Sequence, residues 1–230
     1  MSKVQLAQSL LPESMHQFVK EESPYPSEAN IRLIADRVGG FASFLGSRSL
    51  LMVTGPLQAP EVVAHLLQGT VRAGNINEED ADRLGALRLD MQAKTRRTAS
   101  IQLVDAGAHR LLPRELQAVQ LEHMIGIASR KDDPWRLRII PEGKEPAGIP
   151  ENNFSIVHLR NAGISAYVEQ FEAAQDQGGA VIMETPGTDT YIPPGTGESK
   201  QWLGYFDTLG AVALDQAATL AHLKAELAHL

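Results

Sequence analysis

Residues 154–200 read FSIVHLRNAGISAYVEQFEAAQDQGGAVIMETPGTDTYIPPGTGESK, and the way this stretch folds decides the architecture expected for the whole chain. Two short apolar runs, 154–159 (FSIVHL) and 180–184 (AVIME), flank a segment whose apolar spacing suits a helix over 165–177. A connection of that length is too long for a tight hairpin. The pattern therefore predicts two neighbouring parallel strands joined by a crossover, followed by a polar Pro/Gly loop over 185–200.

Open α/β sheets bind ligands outside the carboxyl ends of their strands, so chemistry is expected first at the ends of this pair. His158 and Arg160 stand at the end of the first run, Glu184 at the end of the second, and Asp189 and Tyr191 on the loop beyond. An imidazole and carboxylates held in one cleft are what general acid/base catalysis requires. The competing reading of the same residues is a rim ion pair between Arg160 and Glu184, with His158 packed within the sheet.

The loop also contains PPGTGES, which superficially suggests a phosphate-binding loop. That loop needs GxxxxGK[ST], and here Ile192 and Glu198 stand where the first glycine and the lysine belong. A carboxylate in the lysine position repels phosphate. The residues read instead as a surface loop stiffened by Pro193 and Pro194 and turned at Gly195 and Gly197.

Upstream, helical spacing runs over 4–21, interrupted by Pro12, and again over 27–46, where Ser27 caps a pattern of Ile31, Leu33, Ile34, Val38, Phe41, Phe44 and Leu45. Residues 50–54 (LLMVT) form a continuous apolar run like a buried strand, and Pro60 opens a helix carrying Val62, Val63, Leu66, Leu67 and Val71. Asn77 followed by Glu78, Glu79 and Asp80 starts a helix reaching about Arg97. A strand at 101–104, a helix over 113–129 and an alternating strand at 135–140 follow. The segment 141–153 (PEGKEPAGIPENN), with three prolines and two glycines, is where a subdomain boundary would fall within a single domain of residues 1–230. From Trp202 a long helix is expected, with Leu220, Leu223, Leu227 and Leu230 forming a seam that either docks on the chain's own core or meets a partner helix.

Composition narrows the functions. A formal charge of −7 argues against a dedicated nucleic-acid or anionic-membrane surface, and the absence of cysteine excludes disulfides, thiolate metal sites and a cysteine nucleophile. No signal peptide or membrane-spanning run is visible, which suits a cytoplasmic location. His16, His65, His109, His123, His158, His222 and His229 show no metal-ligand spacing, so neither metal nor cofactor is expected. The basic residues Lys94, Arg96, Arg97, Arg110, Arg114 and Arg130 lack interleaved aromatics for base stacking.

The expected fold is α/β, a short, mostly parallel or mixed sheet flanked by helices, with α+β as the alternative. The expected function is that of a non-catalytic subunit of a homo- or hetero-oligomeric protein assembly. The alternative is a small-molecule enzyme using His158, Arg160, Glu184, Asp189 and Tyr191.

Overall fold

A computed structural model of the chain describes residues 42–49, 52–96, 99–130, 135–150, 152–159, 180–185, 188–192 and 195–230. In order these form β1 (Ala42–Ser49), a 3-10 turn (Gly55–Leu57), α1 (Pro60–Arg72), α2 (Glu78–Thr95), β2 (Ser100–Asp105), α3 (Arg114–Ala128), β3 (Trp135–Ile140), β4 (Asn153–Leu159), β5 (Ala180–Thr185), β6 (Thr188–Ile192), α4 (Gly197–Val212) and α5 (Gln216–His229). The fold is α/β, built on one mixed six-stranded sheet of order β3-β2-β1-β4-β5-β6.

The sheet has two halves with opposite logic. β1, β2 and β3 are parallel, and helices fill both connections, α1 and α2 in the first and α3 in the second. β4 runs antiparallel to β1, β5 to β4 and β6 to β5. The parallel pairing expected for 154–159 and 180–184 is thus corrected: the strands are neighbours, with Asn153 opposite Glu184 and Val157 opposite Ala180, but they run in opposite directions. A long connection permits a crossover without enforcing one. The helix expected over 165–177 lies outside the described residues, as do the segments 4–21 and 27–41.

Further corrections concern boundaries. Residues 42–46 belong to β1, whereas helical spacing placed them at the end of a helix; the pleat wins because this segment is paired with β4 along its length and with β2 from Leu45 onward. The described part of the 50–54 run, Met52 to Thr54, lies in the irregular connection after β1. The loop over 185–200 contains β6 and the first turn of α4, where Thr196 Oγ1 accepts from the Ser199 amide. The expected long C-terminal helix is broken after Val212 and restarts at Gln216, with the Asp215 carboxylate accepting from the Ala218 amide.

Alternating strand residues feed two cores on opposite faces. Val104, Trp135, Leu137 and Ile139 pack with Leu121, Met124 and Ile127 of α3 and Leu223 of α5. Leu103, Ile140, Phe154, Ile156 and Val181 pack with Trp202, Phe206 and Leu209 of α4. Phe154 anchors the second core, its ring 4.9 Å from that of Trp202 and 6.3 Å from Phe206. α1 lies outside this sandwich, with Val62 packing toward Leu116 and Val119 of α3, and Val63 and Leu67 toward Ala81 and Leu84 of α2.

Candidate functional site

The carboxyl ends of β1 and β2 carry a charged cluster inside the protein. Arg48, next to last in β1, is fully buried, and Asp105 is the last residue of β2. Arg48 Nε donates to Asp105 Oδ2 at 3.2 Å and Nη2 to Oδ1 at 3.3 Å, a forked geometry that suits the planar guanidinium. The same Nη2 donates to Glu145 Oε2 at 2.8 Å, and Nη1 to the Pro150 carbonyl at 2.9 Å. Glu145 and Pro150 both belong to the β3–β4 connection, so one arginine ties two strand ends to that connection. Burial, followed by the hydrogen bond to Glu145, pushes the Asp105 carboxyl up to about 7 against the pull of Arg48. The hydrogen bond to Asp105, assisted by Arg48, holds Glu145 below its ordinary range.

A second, neutral cluster supports the irregular segment after β1. A buried segment without a ladder must find other partners for its peptide groups, and glutamine side chains supply them. Gln120 on α3 accepts from the Ala59 amide at 3.0 Å and donates to the Leu57 carbonyl at 2.8 Å. Gln92 on α2 donates to the carbonyls of Gly55 and Gln58, and Gln58 to that of Val53. Ser49 Oγ accepts from the Thr54 amide at 3.0 Å, closing the connection onto the strand it leaves.

The residues expected to form an acid/base corner do not share one end of the sheet. Glu184 and Asp189 stand directly opposite each other across the β5–β6 hairpin, and Tyr191 stands opposite Ile182. His158 lies in register with Phe44 near the far end of β4, five positions from Asn153, the partner of Glu184. At the rise of an extended strand that separates them by about 17 Å along the sheet. Arg160 lies outside the described residues. The antiparallel course of β5 is the cause, since it sends the carboxyl ends of β4 and β5 to opposite margins.

The leucine seam docks on its own chain. Leu223 is buried in the core shared with α3 and β3, and Leu220, Leu227 and Leu230 pack against that core. At the junction with α4, Arg138 donates to the carbonyls of Ala213 and Leu214, the Leu214 amide donates to the Ile139 carbonyl, and Thr219 Oγ1 accepts from the Ile139 amide. These bonds cover the outer edge of β3. Of the two expected courses for the seam, the packing on the chain's own core is the one this structure describes, and Leu223 is buried in it.

Of the basic residues, Arg96, Arg110 and Arg114 have separate partners, and Arg97 lies outside the described residues. The Arg96 guanidinium lies 5.8 Å over the Trp135 ring and 3.4 Å from His123 Nε2, while Arg110 pairs with Glu142 at 3.2 Å and Glu226 at 3.5 Å. Arg114 Nη2 donates to the Leu230 carbonyl. Burial depresses both His109 and His123. Among the described residues no group of three or more His, Cys, Asp or Glu side chains is placed to hold a metal ion, and no helix is long and apolar enough to cross a membrane.

Sequence reasoning missed Arg48, Asp105 and Glu145. A signal was present for Arg48 and Asp105, a charge within or ending an extended segment, but none for Glu145 in a Pro/Gly-rich connection, and their convergence was hidden because Arg48 is 57 residues from Asp105 and 97 from Glu145.

Residues 42–225 match the family described as Domain of unknown function (DUF5753). The chain belongs to that family. The matched span opens on the first residue of β1 and takes in all six strands, so both polar clusters are features of the DUF5753 domain of this chain. No curated protein matches the chain.

Proposed function

We propose that this DUF5753 domain is a non-catalytic subunit of a homo- or hetero-oligomeric protein assembly that works in the cytoplasm. One observation carries the reading: the polar groups gathered where a sheet of this kind presents its chemistry are partnered by one another. Arg48 uses Nε, Nη1 and Nη2 on Asp105, Glu145 and the Pro150 carbonyl, and Gln92 and Gln120 are used on backbone groups of the 53–59 segment. These side chains are engaged in holding the chain's own segments together. A catalytic site instead leaves its acid, base or nucleophile free to meet a substrate. The formal charge of −7 points the partner toward protein and away from nucleic acid.

The test is the mass of the purified chain in solution. Light scattering is expected to return a multiple of 25.0 kDa. A species that stays at 25.0 kDa at high concentration would exclude self-assembly and leave only a heteromeric partner, to be sought by cross-linking in the native cell.

A further inference from the structure

The Arg48 cluster holds more carboxylate than its single guanidinium can balance. Asp105 Oδ1 and Glu145 Oε2 both accept from the same nitrogen, Nη2, at 3.3 and 2.8 Å, which brings two acids together beside one buried cation. The cluster is neutral only with a proton on one acid. The two acids also differ in their access to water: the side chain of Asp105 is 9% exposed and that of Glu145 is 35% exposed. An excess charge is therefore relieved at least cost by moving Glu145 outward.

The backbone around Glu145 is built to let that happen. Gly143 (φ 71°) and Gly148 (φ 86°) bracket it, each in the left-handed region that glycine adopts freely. Beyond them the connection is held at both ends. Ile140 is buried in the Phe154 core at the end of β3, Ile149 packs against the same core, and the Pro150 carbonyl is bonded to Arg48. Residues 142–148 are thus a short arm between fixed ends, and Glu145 is its inward contact.

We propose that Arg48, Asp105 and Glu145 form a proton-operated latch: with one proton shared between the two carboxyls the 142–148 arm is clasped over the ends of β1 and β2, and loss of that proton releases it. On opening, Glu145 leaves Arg48 for water, Asp105 keeps the forked pair with Arg48, and the proton passes from Asp105 to solvent. The charged groups facing Asp105 are Arg48 from β1 and Glu145 from the arm. Of the next charges, Glu142 pairs with Arg110, and His109 and Arg110 face Glu226 on α5. Burial raises Asp105 in the closed state, so closing takes up a proton across the interval between the ordinary carboxylate range and about 7.

Hydrogen exchange of the full chain, followed by mass spectrometry and corrected for the intrinsic pH dependence of amide exchange, tests this directly. The amide of Lys144, which donates to the Pro141 carbonyl within the arm, is expected to exchange faster by up to about tenfold per pH unit between about 5 and 7, and to level off above that. Asp105→Asn offers Arg48 an oxygen and Glu145 an N–H in place of the O–H that protonated Asp105 offers, and its Lys144 amide is expected to stay protected with a flat profile. Glu145→Gln removes the second charge, and the rise is expected to vanish there too. A flat profile in the unaltered chain, a slope surviving in either variant, or an equal rise in the amides of β3 would overturn the latch; the last would mean that the proton acts on the whole fold.

Discussion

The two buried polar clusters perform related tasks with different chemistry, and the contrast is instructive. Gln58, Gln92 and Gln120 fix an irregular segment with neutral amides, each bond satisfying a peptide group that has no ladder partner. Arg48 fixes the β3–β4 connection with charge, at the cost of an acid that must be kept protonated. Neutral clasps are indifferent to pH. The charged one is stronger when whole, more damaging when broken, and tied to proton activity.

Three substitutions break or sharpen that comparison. Arg48→Ala strands two acids beside a cavity and is expected to cost about 3–5 kcal/mol in urea unfolding, the largest single effect among these residues. Gln120→Ala leaves the Ala59 amide and Leu57 carbonyl without partners and is expected to cost about 2–3 kcal/mol, by the same amount at pH 5 and pH 8. If the glutamine change proved the costlier, or varied with pH, the distinction would fail. Thr219→Val removes the acceptor for the Ile139 amide at the β3 edge, and should lower stability by about 1 kcal/mol.

The pH dependence has a definite sign. Asp105 is raised from 3.8 to about 7 on folding, so its contribution to stability is fully present below 3.8 and is lost as pH rises through about 7. His109 and His123, depressed by burial, act in the opposite sense near neutrality. The difference in unfolding free energy between the unaltered chain and Asp105→Asn cancels those histidines. It should move against the unaltered chain across that interval.

Much of the sheet was legible because its strands are short apolar runs: β2, β3, β4 and β5 fall where hydrophobic patterning puts them. β1 was not, because Gly46, Ser47, Arg48 and Ser49 lack apolar character, while Phe41, Phe44 and Leu45 mimic a helical face. Strand direction was illegible for a different reason. Nothing local to 154–159 or 180–184 encodes which way the second run points, and a connection of that length serves either course. β6 was hidden by its composition, since TDTYI amid prolines and glycines resembles a loop until it pairs with β5. The charged cluster was beyond reach, being assembled from three segments that only the topology brings together.

The central position of β1 also sets an order on folding. Leu45 is in register with Ser100 on one side and Val157 on the other, partners that leave the ribosome 55 and 112 positions later. The middle of the sheet thus waits, with one margin open, until the residues of β4 have been made. A nascent chain with such distant pairings is expected to fold slowly, and to need protection from stray strands during synthesis.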